Sequence, residues 1–155
     1  MAMNCSIKAT LSVPINGWMR FDLQTPDVQF TFQVSYTPND FLDELLTALA
    51  LAAQGVAGVA LAHTEPVVIE LAFSPDPQND LLTLKVTEYP DWRRRTGEGR
   101  PLFAGQGTAE SIVVAFWRAV RRLQSEVTAD EYREGMQREF PTEKIQRLSE
   151  LLDKA

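Results

Sequence analysis

The chain has only one cysteine and one histidine among its 155 residues. Cys5 has no partner for a disulfide within the chain, and Cys5 with His63 cannot form the cluster of thiols and imidazoles that zinc requires. We therefore predict no metal, no cofactor and a reducing compartment. Cys5 lies on the apolar side of a predicted strand, where a thiol acts as a small hydrophobic side chain.

Any catalytic base or pH switch that uses imidazole has to use His63. Its setting, "LAHTEP", predicts a loop leading into a strand, with Thr64 and Glu65 beside it. This setting favours a histidine bonded to nearby polar groups over a catalytic one. The sequence also has no G-x-S-x-G segment between a strand and a helix. No nucleophile is indicated, and we expect the chain not to be an enzyme.

Long apolar runs are also missing. The most apolar stretch, 41–62, is interrupted by Asp43, Glu44, Gln54 and two glycines, which argues against a membrane span. It predicts a buried helix followed by a loop. The first ten residues, "MAMNCSIKAT", lack the basic and apolar regions of a signal peptide. We therefore expect a cytoplasmic protein.

Basic residues are scarce in the first part of the chain. Residues 1–92 hold eleven acids against Lys8, Arg20 and Lys85, a net charge of −8, whereas residues 93–155 hold twelve bases against ten acids, a net charge of +2. Phosphate groups are repelled by such an acidic surface, which makes nucleic acid and anionic membranes poor partners for the first part. A basic protein partner fits it better.

The composition is that of an ordinary globular protein, with 45% hydrophobic and 23% charged residues. A chain of this length can bury a substantial core and falls within the usual size of one domain. We therefore predict a single domain over residues 1–155.

Three segments near the start alternate between apolar and polar residues, which predicts half-buried strands. The residues expected to face inward are Cys5, Ile7, Ala9, Leu11 and Val13 in the first segment, Met19, Phe21 and Leu23 in the second, and Val28, Phe30, Phe32, Val34 and Tyr36 in the third. Two further strands are expected in "VVIELAF" and "LLTLKVT", and a short one near 101–106.

The period changes to that of a helix near 38–54. Thr37 is the expected N-cap, Pro38 the first helical residue and Gly55 the end. The apolar positions form a broad buried face, which leaves Asp40, Asp43, Glu44 and Thr47 as an exposed stripe. Because this stripe is acidic, we predict that it contacts a basic partner, together with Asp22 and Asp27 in nearby loops.

Helical patterns also dominate the end of the chain. An amphipathic helix is expected near 108–126, Thr128 and Glu131 form a capping box for a short helix, and Pro141 begins the last helix. Strands covered by helices on one face and open to water on the other predict an α+β, two-layer domain with a mainly antiparallel sheet.

Two glycine-rich or acidic segments resemble binding motifs only superficially. "GEGRPLFAGQG" matches neither a dinucleotide-binding fingerprint nor a Walker A pattern, so its glycines indicate a turn before a helix. "SPDPQND" lacks the spaced oxygen ligands of an EF-hand and is typical of a turn.

The segment 89–100 is a loop with an unusual composition. Tyr89, Asp91 and Trp92 are followed directly by Arg93, Arg94 and Arg95, among prolines, glycines and acids. A solvated run of charges is one interpretation. The other is a binding loop, because Tyr, Trp and Arg are enriched at interface hot spots and loops held by a rigid sheet often bind partners. We predict that this loop is exposed and contributes to binding.

The acidic, strand-rich start and the end "SIVVAFWRAVRRLQSEVTADEYREGMQREFP" together resemble small bacterial immunity proteins of polymorphic toxin and contact-dependent growth inhibition systems. The resemblance covers the chain as a pattern. It implies a cytoplasmic protein without enzymatic activity, a monomer or weak dimer when free, that binds one cognate toxin domain and blocks it. Many such toxins are nucleases with basic clefts, which an acidic surface can imitate.

Two other classes remain open. A secretion or effector chaperone would also be small, acidic and α+β, but it would expose an apolar groove and dimerise. An enzyme of unrecognised type would enclose His63 in a pocket with convergent acids.

Overall fold

The structure is a computed structural model that describes residues 3, 4 and 6–153, with side chains from residue 6 onward. The predicted core position of Cys5 lies outside these residues. The described part of the chain has an α+β fold in which helices and two sheets share one hydrophobic core. The prediction of the fold class is confirmed.

A five-stranded sheet forms the larger layer. In spatial order its strands are Met3–Asn4 (β1), Arg100–Thr108 (β8), Leu81–Tyr89 (β7), Val68–Asp76 (β6) and Gly58–His63 (β5). All neighbours are antiparallel except β1 and β8, which run parallel.

A separate three-stranded antiparallel sheet comes from the start of the chain. Its strands are Lys8–Leu11 (β2), Trp18–Gln24 (β3) and Gln29–Ser35 (β4), with β3 in the centre. The sequence pattern indicated one sheet. The structure corrects this to two, because alternation within a strand shows which side is buried but not which strand is its neighbour.

Four helices complete the described fold: Phe41–Ala53 (α1), Ala109–Glu126 (α2), Ala129–Met136 (α3) and Thr142–Asp153 (α4). α1 and α2 lie on one face of the larger sheet. A Cβ on Gly58 would be 3.1 Å from the Ala48 Cα of α1, and one on Gly107 would be 3.4 Å from Ile112 of α2.

The two sheets meet in a core of aromatic rings. Phe21 of β3 lies with its ring centroid 5.4 Å from that of Phe41 and 6.4 Å from that of Phe116, and Phe116 packs edge-on against Phe73 of β6 at 5.6 Å. Helices and the smaller sheet therefore cover the same face of the larger sheet. Among the described residues, no helix lies over the opposite face of the larger sheet, where Val59, Lys85 and Ala104 are exposed.

Strand β5 corrects the prediction that a loop follows α1. Ala60 and Ala62 face the core, while Val59 and Leu61 face outward, so the segment is apolar on both sides. A strand without alternation cannot be distinguished from other apolar segments by its period. His63 consequently ends a strand and does not lie in a loop.

The beginning of α1 also differs from the prediction. Thr37 is not the N-cap and Pro38 is not the first helical residue. The cap is Asp40, whose carboxylate accepts a hydrogen bond from the Asp43 backbone N–H at 3.2 Å. Aspartate is among the strongest N-cap residues, since its oxygen satisfies a helix N–H that has no partner in the first turn.

Several other local predictions are confirmed. Met19, Phe21, Leu23, Phe32 and Val34 are buried, as expected from alternation. Thr108 caps α2, and Thr128 and Glu131 form the reciprocal capping box that begins α3. Val13, Val28 and Tyr36, which were expected to face inward, are exposed, because they lie just beyond the ends of β2 and β4.

Candidate protein-binding surface

The loop between β7 and β8, residues 90–99, is the most conspicuous surface feature and is called the hairpin loop below. Trp92, three residues after the end of β7, is 68% exposed. The Arg93 guanidinium lies over the Trp92 ring, 5.3 Å from its centroid. The prediction that this loop is exposed is confirmed. Its role in binding stays a prediction.

Three ion pairs hold the hairpin loop and its base in place. Arg94 pairs with Glu70 of β6, Arg93 pairs with Asp91 at 3.3 Å, and Arg100 pairs with Glu88 at 2.7 Å. The Arg93 backbone N–H also donates to the Asp91 carboxylate at 2.9 Å. Each pair is partly exposed and contributes little stability alone, but together they restrict the positions that Trp92 and Arg93 can occupy.

Tyr89 corrects one detail of the prediction. It is the last residue of β7 and is half-buried, with Gly99 directly over its ring. A Cβ on Gly99 would lie 2.9 Å from the Tyr89 Cε1 atom, so only glycine allows the loop to return this closely. Tyr89 supports the base of the hairpin loop, whereas Arg95 lies exposed within it.

Beside the hairpin loop lies the uncovered side of the five-stranded sheet, here called the open face. Cross-strand neighbours on it are Val59, Ala72, Lys85 and Ala104. Val59 is 47% exposed, and Lys85 and Ala104 are also exposed. Small apolar side chains on an exposed sheet face, with a tryptophan in the adjoining loop, form a surface on which another protein can pack.

The acidic stripe on α1 is not the free surface that the sequence suggested. Glu44 accepts a hydrogen bond from the Leu61 backbone N–H at 3.1 Å and one from the Asn39 amide at 2.7 Å. The same Asn39 amide donates to the Leu61 carbonyl at 2.9 Å. Glu44 and Asn39 thus cover the outer edge of β5, which is a structural role.

The other stripe residues also have partners within the fold. The Asp43 carboxylate pairs with Lys144 of α4 at 2.7 Å, and Thr47 accepts from the same ammonium group at 2.8 Å. Asp40 caps the helix, and burial raises the pKa of its carboxyl. The helix period showed that these residues share a face, but it could not show that α4 and β5 contact that face.

Asp22 and Asp27 do not join the stripe. Asp22 lies in β3 instead of a loop and pairs with Arg20 at 3.3 Å. Asp27 is exposed in the turn before β4, as expected for a loop, but the length of β4 separates it from Asp40. Seven extended residues span about 23 Å. The acidic residues therefore do not form one surface.

The sequence analysis missed a second exposed apolar group. Ile15 lies in the turn between β2 and β3 and is 67% exposed. Tyr36 follows β4, packs against Gly17 of the same turn and is 41% exposed. The turn itself uses positive φ angles of 53° at Asn16 and 83° at Gly17. An Asn-Gly pair between alternating segments is a strong signal for such a hairpin turn, and its tip is exposed.

His63 does not line either of two surface grooves found among the described residues. One groove runs between β2 and α2, and the other lies between Phe30 and Leu102. In residues 3, 4 and 6–153, no group of three or more His, Cys, Asp or Glu side chains is arranged to hold a metal ion. Within the same residues, no helix is both long and apolar enough to cross a bilayer.

His63 should make the protein sensitive to mild acid. Burial lowers its pKa from the ordinary 6.5, and Arg94 lowers it further, although Glu44 and Glu65 oppose the shift. In the unfolded chain His63 therefore binds a proton near pH 6.5, whereas in the folded chain it does so only at lower pH. Because the unfolded state binds more protons in this range, the free energy of unfolding falls as the pH decreases through it.

This expectation can be measured by urea denaturation between pH 7.5 and 5.5, comparing the wild type with His63→Gln. The variant should lose less stability than the wild type over this range, because glutamine does not titrate. His63 is the only histidine, so no second imidazole complicates the comparison. Equal losses in the two proteins would contradict the proposed protonation of His63.

Comparisons of the chain with protein-family models, curated proteins and solved structures found no match.

Proposed function

We propose that the chain is an immunity protein, which binds one cognate toxin domain in the cytoplasm and neutralises it by covering its active site or another surface that the toxin needs. The observation that carries the proposal is the hairpin loop, where a tryptophan is 68% exposed while the residues around it are held by ion pairs. A partner that buries Trp92 would remove this apolar area from water.

The hairpin loop has the properties of an interface anchor. Tryptophan and arginine contribute most often to hot spots, and here Arg93 stacks on Trp92 before any partner is present. Because Arg94 already fixes the loop against Glu70, less conformational entropy is lost on binding than for a free loop. The open face beside the loop provides additional contact area.

Charge supports a basic partner at longer range. The chain has a net charge of −6, which attracts a cationic surface and accelerates encounter. With Asp40, Asp43 and Glu44 engaged inside the fold, we assign the close contacts to the hairpin loop instead of the stripe. The toxin surface that meets Arg93 and Trp92 would then be apolar or acidic at its centre.

The proposal can be tested by co-expressing the chain with the toxin domain encoded beside its gene. We expect a stable complex with one copy of each protein on size-exclusion chromatography, and survival of cells that the toxin alone kills. The complex should have no toxin activity in vitro. Failure to form a complex, or failure to protect cells, would contradict the proposal. Recovery of a fully active toxin in the complex would instead favour a chaperone.

A further inference from the structure

The groove between the three-stranded sheet and α2, here called the β2–α2 groove, has a volume of about 870 Å³. Small or apolar side chains form its floor, among them Ala9, Ile112, Ala115 and Ala119. It belongs neither to the hairpin loop nor to the open face.

One wall of the groove is the edge of a strand. Lys8 and Ala9 of β2 line it, together with Ser6 and Ile7 just before the strand. Lys8 and Ala9 lie on opposite faces of β2, so both can line one groove only where the backbone edge of the strand faces it. Among the described strands, β2 is at the edge of its sheet and pairs with β3 alone.

The register shows which backbone groups point toward the groove. Directly after β2, the Ser12 N–H donates to the Arg20 carbonyl at 2.9 Å and the Arg20 N–H donates to the Ser12 hydroxyl at 2.8 Å, so the backbone N–H of Ser12 points toward β3. In an antiparallel pair of strands, residues whose backbone groups bond to the neighbouring strand alternate with residues whose backbone groups point away from it. The N–H and C=O groups of Thr10 therefore point toward β3, whereas those of Ala9 point away from β3. A partner backbone in the groove can hydrogen-bond to these groups.

The length of the groove favours an extended peptide over a small anion. Its helical wall runs from Glu110 to Arg122, which spans about 18 Å at a rise of about 1.5 Å per residue. An extended chain covers that distance with about five residues. A single phosphate or carboxylate would occupy only a small part of it.

The charge of the walls indicates what kind of peptide fits. Lys8 lies on the strand wall, and the exposed Arg118 and Arg122 lie on the helix wall one turn apart. Arg122 is oriented by Glu126, with its Nε 2.9 Å from the carboxylate. Glu110 lies at the opposite end of the helix wall and Glu126 offsets part of the charge of Arg122, so Lys8 and Arg118 contribute most of the excess positive charge. This is a local basic surface on a chain with a net charge of −6.

We propose that the β2–α2 groove binds an extended acidic peptide segment of a partner protein. Carboxylates of the peptide pair with Lys8, Arg118 and Arg122, aliphatic side chains contact Ala115 and Ala119, and the peptide backbone bonds to the edge of β2. This is peptide recognition by strand addition with electrostatic selection. The proposal does not depend on the identity of the partner at the hairpin loop.

The probe is a fluorescein-labelled peptide of nine residues that alternates glutamate and valine, measured by fluorescence anisotropy with the full chain. We expect saturable binding that weakens as salt is raised. A matched peptide that alternates lysine and valine should not bind. A single-stranded oligonucleotide of similar charge should neither bind nor compete, because it lacks the strand backbone and aliphatic side chains. Preferential binding of the oligonucleotide would overturn the peptide proposal.

Two pairs of variants locate the site. Arg118→Glu should reduce peptide affinity at least tenfold, because Arg118 lines the groove. Arg121→Glu introduces the same change of charge on α2 but should alter the affinity less than twofold, because Arg121 stacks on Trp117 outside the groove. Ala115→Trp should block the groove, whereas Ala53→Trp at the exposed end of α1 should not. Circular dichroism will show that the variants are folded. Equal affinities within either pair, or no saturable binding of the acidic peptide, would overturn the proposal.

Discussion

Replacing Trp92 with alanine is expected to weaken binding of the proposed toxin partner by roughly thirtyfold, about 2 kcal/mol, while the melting temperature changes by less than about 2 °C. The indole is 68% exposed, so its removal creates no cavity in the core. A bound partner would lose the apolar area of the ring and the support that the ring gives to Arg93. Isothermal titration calorimetry and thermal unfolding measure the two effects separately.

Ile15→Ala is the matched control for this substitution. Ile15 is 67% exposed but lies in the turn between β2 and β3, so its loss should affect neither the fold nor binding at the hairpin loop. Trp92→Phe keeps an aromatic ring beneath Arg93 and should give an intermediate loss. If Trp92→Ala binds the toxin within about 0.5 kcal/mol of the wild type, the hairpin loop is not the anchor, although the chain can still be an immunity protein.

Replacing Glu44 with lysine is expected to lower the free energy of unfolding by about 2–3 kcal/mol. The substitution removes the acceptor for the Leu61 N–H and for the Asn39 amide. It also places an ammonium group beside the Leu61 N–H and the Asn39 amide, which are both donors, so the edge of β5 is left without an acceptor at Leu61. For a chain of this size, such a loss corresponds to a decrease in melting temperature of about 5–10 °C.

The comparison variants for Glu44 separate geometry from charge. Glu44→Gln keeps one acceptor oxygen and should destabilise less than lysine does. Glu134→Lys makes the same charge change at an exposed position of α3 and should alter stability by about 0.5 kcal/mol or less. If Glu44→Lys melts at the wild-type temperature, the hydrogen bonds to Leu61 and Asn39 do not stabilise the fold. The exposed acidic stripe expected from the sequence would then be the better description.

Some elements of this fold could be predicted because their signals are local. Alternation identified the inward side of β3 at Met19, Phe21 and Leu23, since a strand places successive side chains on opposite faces wherever it pairs. Thr128 and Glu131 identified the start of α3, because both partners of a capping box lie within one helical turn. The composition of the hairpin loop similarly indicated exposure at Trp92.

Other elements could not be predicted because their signals are distant in the chain. β5 was missed because the residues that bury Ala60 and Ala62 come from α1 and β6, and its own sequence is apolar on both faces. The separation of the eight described strands into two sheets depends on which edges pair, and no periodicity encodes that choice. The β2–α2 groove joins residues 6–9 to Arg118, more than a hundred positions away.

The sequence by itself determined the class of fold, most strand and helix positions, and the exposure of Trp92, because these follow from the spacing of apolar residues and from local capping and turn chemistry. Only the tertiary structure decided which charges are available to a partner. Asp40, Asp43 and Glu44 have the spacing of a free surface but serve as a helix cap, an ion pair with Lys144 and a cover for the β5 edge. Whether a charged side chain is available to a partner depends on which parts of the fold pack against it. Here folding brings the β5 edge at Leu61 and the helix that carries Lys144 against these acidic residues.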